Sequence, residues 1–343
     1  MKHIIKKIAL SIGLLVLVVG IWQWDWVSYS YGQLSGGARV LLEAKPVSEV
    51  LQDSSVPDSI KSKLRFIEEI RQFAIDSLGL NDTPLYQSYY DQHNKPICYV
   101  LTVAEPYQVK AIEFSFPIIG SFTYKGFFDL QRAQKEEKLC SGYDTEISPV
   151  SAYSTLGYFN DPILSGMLSL PEGRLASLIM HEMTHATVFI KNQHEFNENL
   201  ANFIGDYGAV RFLAQRFGTS SPVYQTYLQG KVFRDRYVQH FNRGKLSLDS
   251  LYATFLPQWS NQRKDQLKHQ QIRYIIQQAD TLYKGLTQVR RRSWKADELP
   301  NNAFFVGFAT YNSRRNEFEI EFKEKFRGDF KRYLSYLKTK YDS

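Results

Sequence analysis

Two histidines four positions apart, with an acid directly after the first, constrain this chain more than any other feature. Residues 181–185 read His-Glu-Met-Thr-His. On an α-helix, side chains at i and i+4 stand one above the other, so both imidazoles can reach a single ion. Glu182 is turned about a quarter of the way round the helix. It is poorly placed to bind the same ion, but it can reach a water beside it, take a proton from that water and hand it on. Ile179, Met180, Met183, Ala186 and Thr187 surround the motif, as expected of a helix buried in a core. A buried helix rarely carries three polar groups in one turn without partners for them. That setting weakens the alternative, in which the two histidines merely cap or pack.

A catalytic zinc ion, Zn2+, needs three protein ligands and one open position. The extended histidine motif of metzincins requires glycine at 188 and histidine at 191. Those positions are Val188 and Lys191, so that group is excluded. Downstream lies Phe196-Asn197-Glu198-Asn199-Leu200-Ala201. If the first helix ends near Lys191, a turn of about five or six residues lets a second helix fold back. Glu198, in the first turn of that second helix, then faces the histidines as the third ligand. His194 and Glu195 are its rivals in the turn. Asn202 and Asp206 follow Glu198 at helical spacing. Either can accept the free N–H of a ligating histidine, and otherwise both are simple exposed helix polars.

The pattern along the chain is that of an α+β protein, with a small β-sheet followed by a mostly helical region. Helices are predicted over 31–45, 58–79, 131–139, 174–191, 198–217, 222–242, 261–291 and 316–341. Asp58 serves as an N-cap and Gly79 as a stop for the second of these. Short β-prone runs cover 97–103, 110–116 and 121–127, with one or two more strands within 145–158. The predicted division is a segment 1–28 and a single domain 29–343. Its sheet-containing part covers about 86–160 and its helical part about 170–343.

Residues 1–28 read as a membrane anchor or an export signal. Lys2, Lys6 and Lys7 precede an apolar run from Ile8 to Trp22. Trp22, Trp24 and Trp26 extend it like an interfacial belt, and no small-residue cleavage site follows. With the lysines ahead of the run, the rest of the chain is expected on the non-cytoplasmic, periplasmic side. The net charge of +7 is modest for this length and does not mark a nucleic-acid binder. Cys98 and Cys140 lack zinc-knuckle spacing. In an exported protein they could form one disulfide, and otherwise they are two small buried hydrophobes. Arg290, Arg291 and Arg292, with Lys295 beyond, close a long basic helix. Its plain reading is a solvated face with cations at a helix C-terminus, against a site for acidic polymers.

Several segments together resemble a bacterial aminopeptidase family whose members are exported zinc peptidases related to the gluzincins. They are residues 152–164 (Ala-Tyr-Ser-Thr-Leu-Gly-Tyr-Phe-Asn-Asp-Pro-Ile-Leu), 178–185, Phe196-Asn197-Glu198, Asn301-Asn302-Ala303 with Tyr311, and Tyr31-Gly32-Gln33-Leu34. The resemblance implies hydrolysis of peptide substrates, with His181, His185 and Glu198 as zinc ligands and Glu182 as general base. The chain departs from the family in lacking an N-terminal lipid-attachment cysteine and in carrying Ser115 and Ser121 where relatives tend to have cysteines. Amide hydrolysis also needs a donor for the tetrahedral oxyanion; Tyr311, Tyr153 and Tyr158 are candidates, and Asn302 is a candidate for holding substrate backbone. An exopeptidase needs an acid for the substrate's α-ammonium, and no residue stands out for it. The expected protein is a membrane-anchored zinc peptidase; the alternative is a catalytically silent metal- or polymer-binding envelope protein.

Overall fold

A computed structural model of the protein describes residues 24–116, 120–150, 160–191, 193–287, 289, 299–310 and 315–341. The helices are α1 (Trp24–Glu43), α2 (Val47–Gln52), α3 (Asp58–Phe73), α4 (Leu130–Leu139), α5 (Glu172–His185), α6 (His194–Phe217), α7 (Pro222–Tyr252), α8 (Asn261–Gln278), α9 (Asn302–Thr310), α10 (Arg315–Phe326) and α11 (Phe330–Tyr341). The strands are β1 (Lys45–Pro46), β2 (Ser88–Tyr90), β3 (Cys98–Ala104), β4 (Phe114–Phe116), β5 (Gly120–Phe122), β6 (Tyr124–Phe127), β7 (Asp144–Val150) and β8 (Ile163–Leu164). The predicted α+β mixture is present and mostly helical, but among the described residues its one expected sheet is three small ones. They run β1-β2-β8, β6-β3-β7 and β4-β5. Among the described residues only the β2–β8 pairing is parallel. The predicted strand at 110–116 shrinks to β4 because the backbone first turns back on β3. Glu105 donates to the Lys110 carbonyl at 3.0 Å and Ile112 to that of Val103 at 2.9 Å.

The apolar run from Ile8 to Trp22 lies outside the described residues, and among those residues no helix is long and apolar enough to cross a membrane. α1 begins earlier than predicted and docks on a sheet. Tyr29 and Gln33, one turn apart, both donate to the Gly126 carbonyl, at 3.1 and 2.7 Å. Trp26 packs edge-on against Phe116 with ring centroids 5.6 Å apart. Cys98 and Cys140 are free thiols, so the disulfide is absent.

The main core joins α3, α5, α6 and α11 through fully buried side chains such as Ile67, Ile179, Ile204 and Tyr333. The α5–α6 pair is packed backbone to backbone. A Cβ on Gly205 would stand 2.6 Å from the Ser177 carbonyl oxygen and 3.2 Å from the His181 nitrogen. A second core lies where α7, α8 and α9 meet, around Phe241, Ile272 and Phe305. The predicted single helix at 316–341 is interrupted between α10 and α11, where Arg327 and Gly328 take φ of 52° and 78°. The predicted helix at 261–291 ends as α-helix at Gln278 and closes in a 3-10 turn, Ala279–Tyr283.

Candidate metal centre

α5 stops at His185, six residues short of the predicted Lys191. The hydroxyls of Thr184 and Thr187 donate back to the carbonyls of Met180 and Met183, each at 2.7 Å, a bond that competes with regular helix. The chain then reverses, and the buried Asn197 side chain fixes the reversal. Asn197 accepts from the Ile190 N–H at 2.9 Å and donates to the Ile190 carbonyl at 2.8 Å. α6 has already begun at His194, so Glu198 sits in its second turn rather than its first.

This reversal brings three side chains to one point. The Nε2 atoms of His181 and His185 are 3.2 Å apart. Glu198 bridges them, with Oε2 3.5 Å from His181 Nε2 and Oε1 3.4 Å from His185 Nε2. The two rings stand nearly perpendicular, at 85°. Side-chain exposure is 2% for His185, 9% for Glu198 and 15% for His181, so the point is closed on one side and open on the other. A tetrahedral ion with bonds of about 2.0–2.1 Å holds its ligand atoms roughly 3.3–3.4 Å apart, and the observed spacings match that. Glu182 joins the group, its carboxylate within 4.8 Å of both imidazole nitrogens. Glu182 Oε2 and His185 Nδ1 are buried without a hydrogen-bond partner. A buried polar atom left unpaired is costly; the Glu182 carboxylate lies beside the point where an ion fits, whereas His185 Nδ1 is the ring nitrogen turned away from it.

Electrostatics tighten the group. Burial raises the pKa of Glu198. The hydrogen bonds from His181 and His185, and then their charges, outweigh it and hold the carboxyl far below the usual range. Burial likewise disfavours charge on His181, yet the Glu198 hydrogen bond, the charges of Glu182 and Glu198 and a hydrogen bond with Asn202 lift its pKa above the ordinary value.

The other predicted site residues divide clearly. Asn202 shares a hydrogen bond with His181. Asp206 is given other partners: it accepts from Ser177 at 3.0 Å, from Tyr227 and from Arg234 at 3.2 Å. Glu195 is exposed, and His194 opens α6 instead of lying in the turn. Asn302 is fully buried in the second core, donating to the Glu105 and Pro106 carbonyls at 2.8 and 3.1 Å and accepting from Tyr252 at 2.8 Å. Its amide ties backbone together there, and the substrate role expected of it finds no support in that position. Tyr153, Tyr158 and Tyr311 lie outside the described residues, as do Arg290 to Lys295. Two tyrosines that no motif singled out feel the charges of the site's carboxylates. The buried Tyr86 phenol has its pKa raised by burial and then by the charges of Glu182 and Asp161. Tyr124 is raised by burial and then by Glu198. Tyr86 also holds φ at 62°, a left-handed conformation that costs an aromatic residue about 1–2 kcal/mol.

Two histidines on one helix, an acid between them and a carboxylate supplied by the next helix define a class: proteins with a helix-built group able to hold a metal ion. Within it, the chain belongs to the family described as "Putative aminopeptidase", whose model matches residues 28–341. No curated protein and no solved structure shows a significant match to the chain.

Proposed function

We propose that the protein is a zinc-dependent peptidase, an aminopeptidase acting on peptides outside the cytoplasm. The observation that carries this reading is the convergence of His181, His185 and Glu198 at spacings of 3.2 to 3.5 Å. Two imidazoles and one carboxylate are a ligand set of hydrolytic zinc. These three residues would hold the ion, which when bound supplies Lewis acidity and brings the pKa of water toward neutrality. Glu182 is the proton carrier. Its Oε2, buried and unpartnered, takes a proton from water and returns it to the leaving amine. Asn202 fixes the ring of His181. In this reading Tyr311, Tyr153 or Tyr158 donates to the oxyanion. Family membership supports peptide substrates, and the lysines ahead of the Ile8–Trp22 run support an anchored, non-cytoplasmic placement.

The test pairs metal analysis with cleavage of an unblocked peptide library. Purified protein should retain one zinc per chain and release N-terminal residues. Glu182→Gln should keep the zinc and lose about 10²–10⁴-fold in kcat. Failure of the wild type to retain metal, or full activity in Glu182→Gln, overturns the proposal.

A further inference from the structure

A cavity of about 300 Å³ opens beside His181 and Asn202. Arg174, Ser177, Leu178 and His181 line it from α5. Their spacing of i, i+3, i+4 and i+7 puts them on one helix face. His181 and Arg174 therefore mark two ends of the cavity, about 10 Å apart along the helix axis. Between them the surface is largely apolar, with Met167, Leu170 and Leu178. Such a volume is at the low end for small-molecule sites, and about 10 Å spans roughly three residues of extended peptide.

The charge around this cavity is unbalanced. Arg234 stands near Arg174, so two like charges share this end of the cavity. The carboxylate of Asp206 accepts from Arg234 at 3.2 Å, and from Ser177 and Tyr227 as well. Glu172, in the same helical turn as Arg174, is paired with Lys63 at 3.0 Å. Arg174 itself is exposed to solvent and makes no hydrogen bond or ion pair with a described residue. A guanidinium presents a planar fork of donors that fits a carboxylate with two parallel hydrogen bonds.

We propose that this cavity is a subsite for the carboxylate-bearing part of a short peptide, with Arg174 binding the carboxylate and the apolar wall taking a side chain. The inference rests on the peptidase reading of the metal centre, and it makes the substrate a short peptide with an anionic group close to the cleaved bond. The carboxylate is the C-terminal one or that of an acidic side chain.

Three tripeptides of one apolar sequence separate the cases: a free acid, a C-terminal amide, and an amide with glutamate at the third position. Each is titrated calorimetrically into zinc-equilibrated Glu182→Gln protein, and each is offered to the wild type for cleavage. The free acid should bind about tenfold to a hundredfold more tightly than the plain amide. Arg174→Ala should remove that difference and Arg174→Lys should restore part of it, with melting curves confirming that both variants fold. If the glutamate peptide matches the free acid, acidic side chains serve; if it matches the amide, the terminal carboxylate is the ligand. Equal binding of free acid and amide, a difference that survives Arg174→Ala, or no binding at all overturns the subsite. A carboxylate preference in binding with no cleavage by the wild type leaves the subsite standing and refutes the peptidase reading instead.

Discussion

Asn202, His181 and Glu198 form a chain of contacts with the imidazole in the middle. Asn202 touches the ring of His181, and residues in that position typically contribute 10–100-fold to metal affinity. Asn202→Ala should therefore weaken zinc retention by about that factor in competition with a chelator, with the fold intact. Cys98 gives a prediction of a different kind. Burial pushes its thiol up to about 11, so at pH 8 it should react with thiol reagents about a hundredfold more slowly than an unfolded cysteine. The sign for stability follows: the contribution of the neutral thiol is complete below the unfolded pKa of about 8.5 and is lost as pH rises through about 11. At this scale the sequence was informative where chemistry is local. His181, Glu182 and His185 are legible because helical spacing alone puts them together. Tyr86 and Tyr124 are not, since each belongs to a distant segment with no periodic signal to mark it.

The α5–α6 pair turns that local pattern into a site, and its contact depends on the absence of a side chain at Gly205. Gly205→Ala would drive a methyl group into the Ser177 carbonyl and the backbone of His181. Neither atom can swing aside, so the cost should be about 1–3 kcal/mol by thermal or urea unfolding, with weaker zinc binding because the helix that carries both histidines must shift. Gly37→Ala in α1 is the control. Nothing stands within 4 Å of its new methyl, and alanine is the better helix former by about 1 kcal/mol. It should unfold close to wild type. Element boundaries show why sequence reading was incomplete here. Periodicity carried the helix past His185 to Lys191, whereas the threonine back-bonds and the clasp of Asn197 on Ile190 end it earlier. The same reading joined α10 to α11, because the apolar period continues across Arg327 while the backbone reverses hand.

Across the whole molecule, the second core is fastened to the β6-β3-β7 sheet by one buried ion pair. Lys268 donates to both oxygens of Asp144 and to the Pro106 carbonyl, and Asp144 accepts from the Asn302 backbone N–H at 2.8 Å. Removing one partner leaves the other charge buried, so Lys268→Ala should cost about 3–5 kcal/mol in urea unfolding. The zinc content of the folded fraction should be unchanged. Zinc should itself stabilise the protein, by about 4 kcal/mol when present at a thousand times its dissociation constant. Chelation should lower the melting temperature accordingly. None of this fastening was visible beforehand: Asp144, Lys268 and Asn302 are far apart in the chain, and the pattern that suggested a substrate role for Asn302 was silent about its burial. The early stop of α5 has a last consequence. Aligned peptide dipoles leave roughly half a negative charge at the tail of a helix and half a positive charge at its head. The imidazoles project from the last turns of α5. The backbone thus adds its own field there, drawing a dication toward the rings by about 0.3–1 kcal/mol. A helix that ran on unbroken would have carried its negative pole past the histidines, away from any ion they hold.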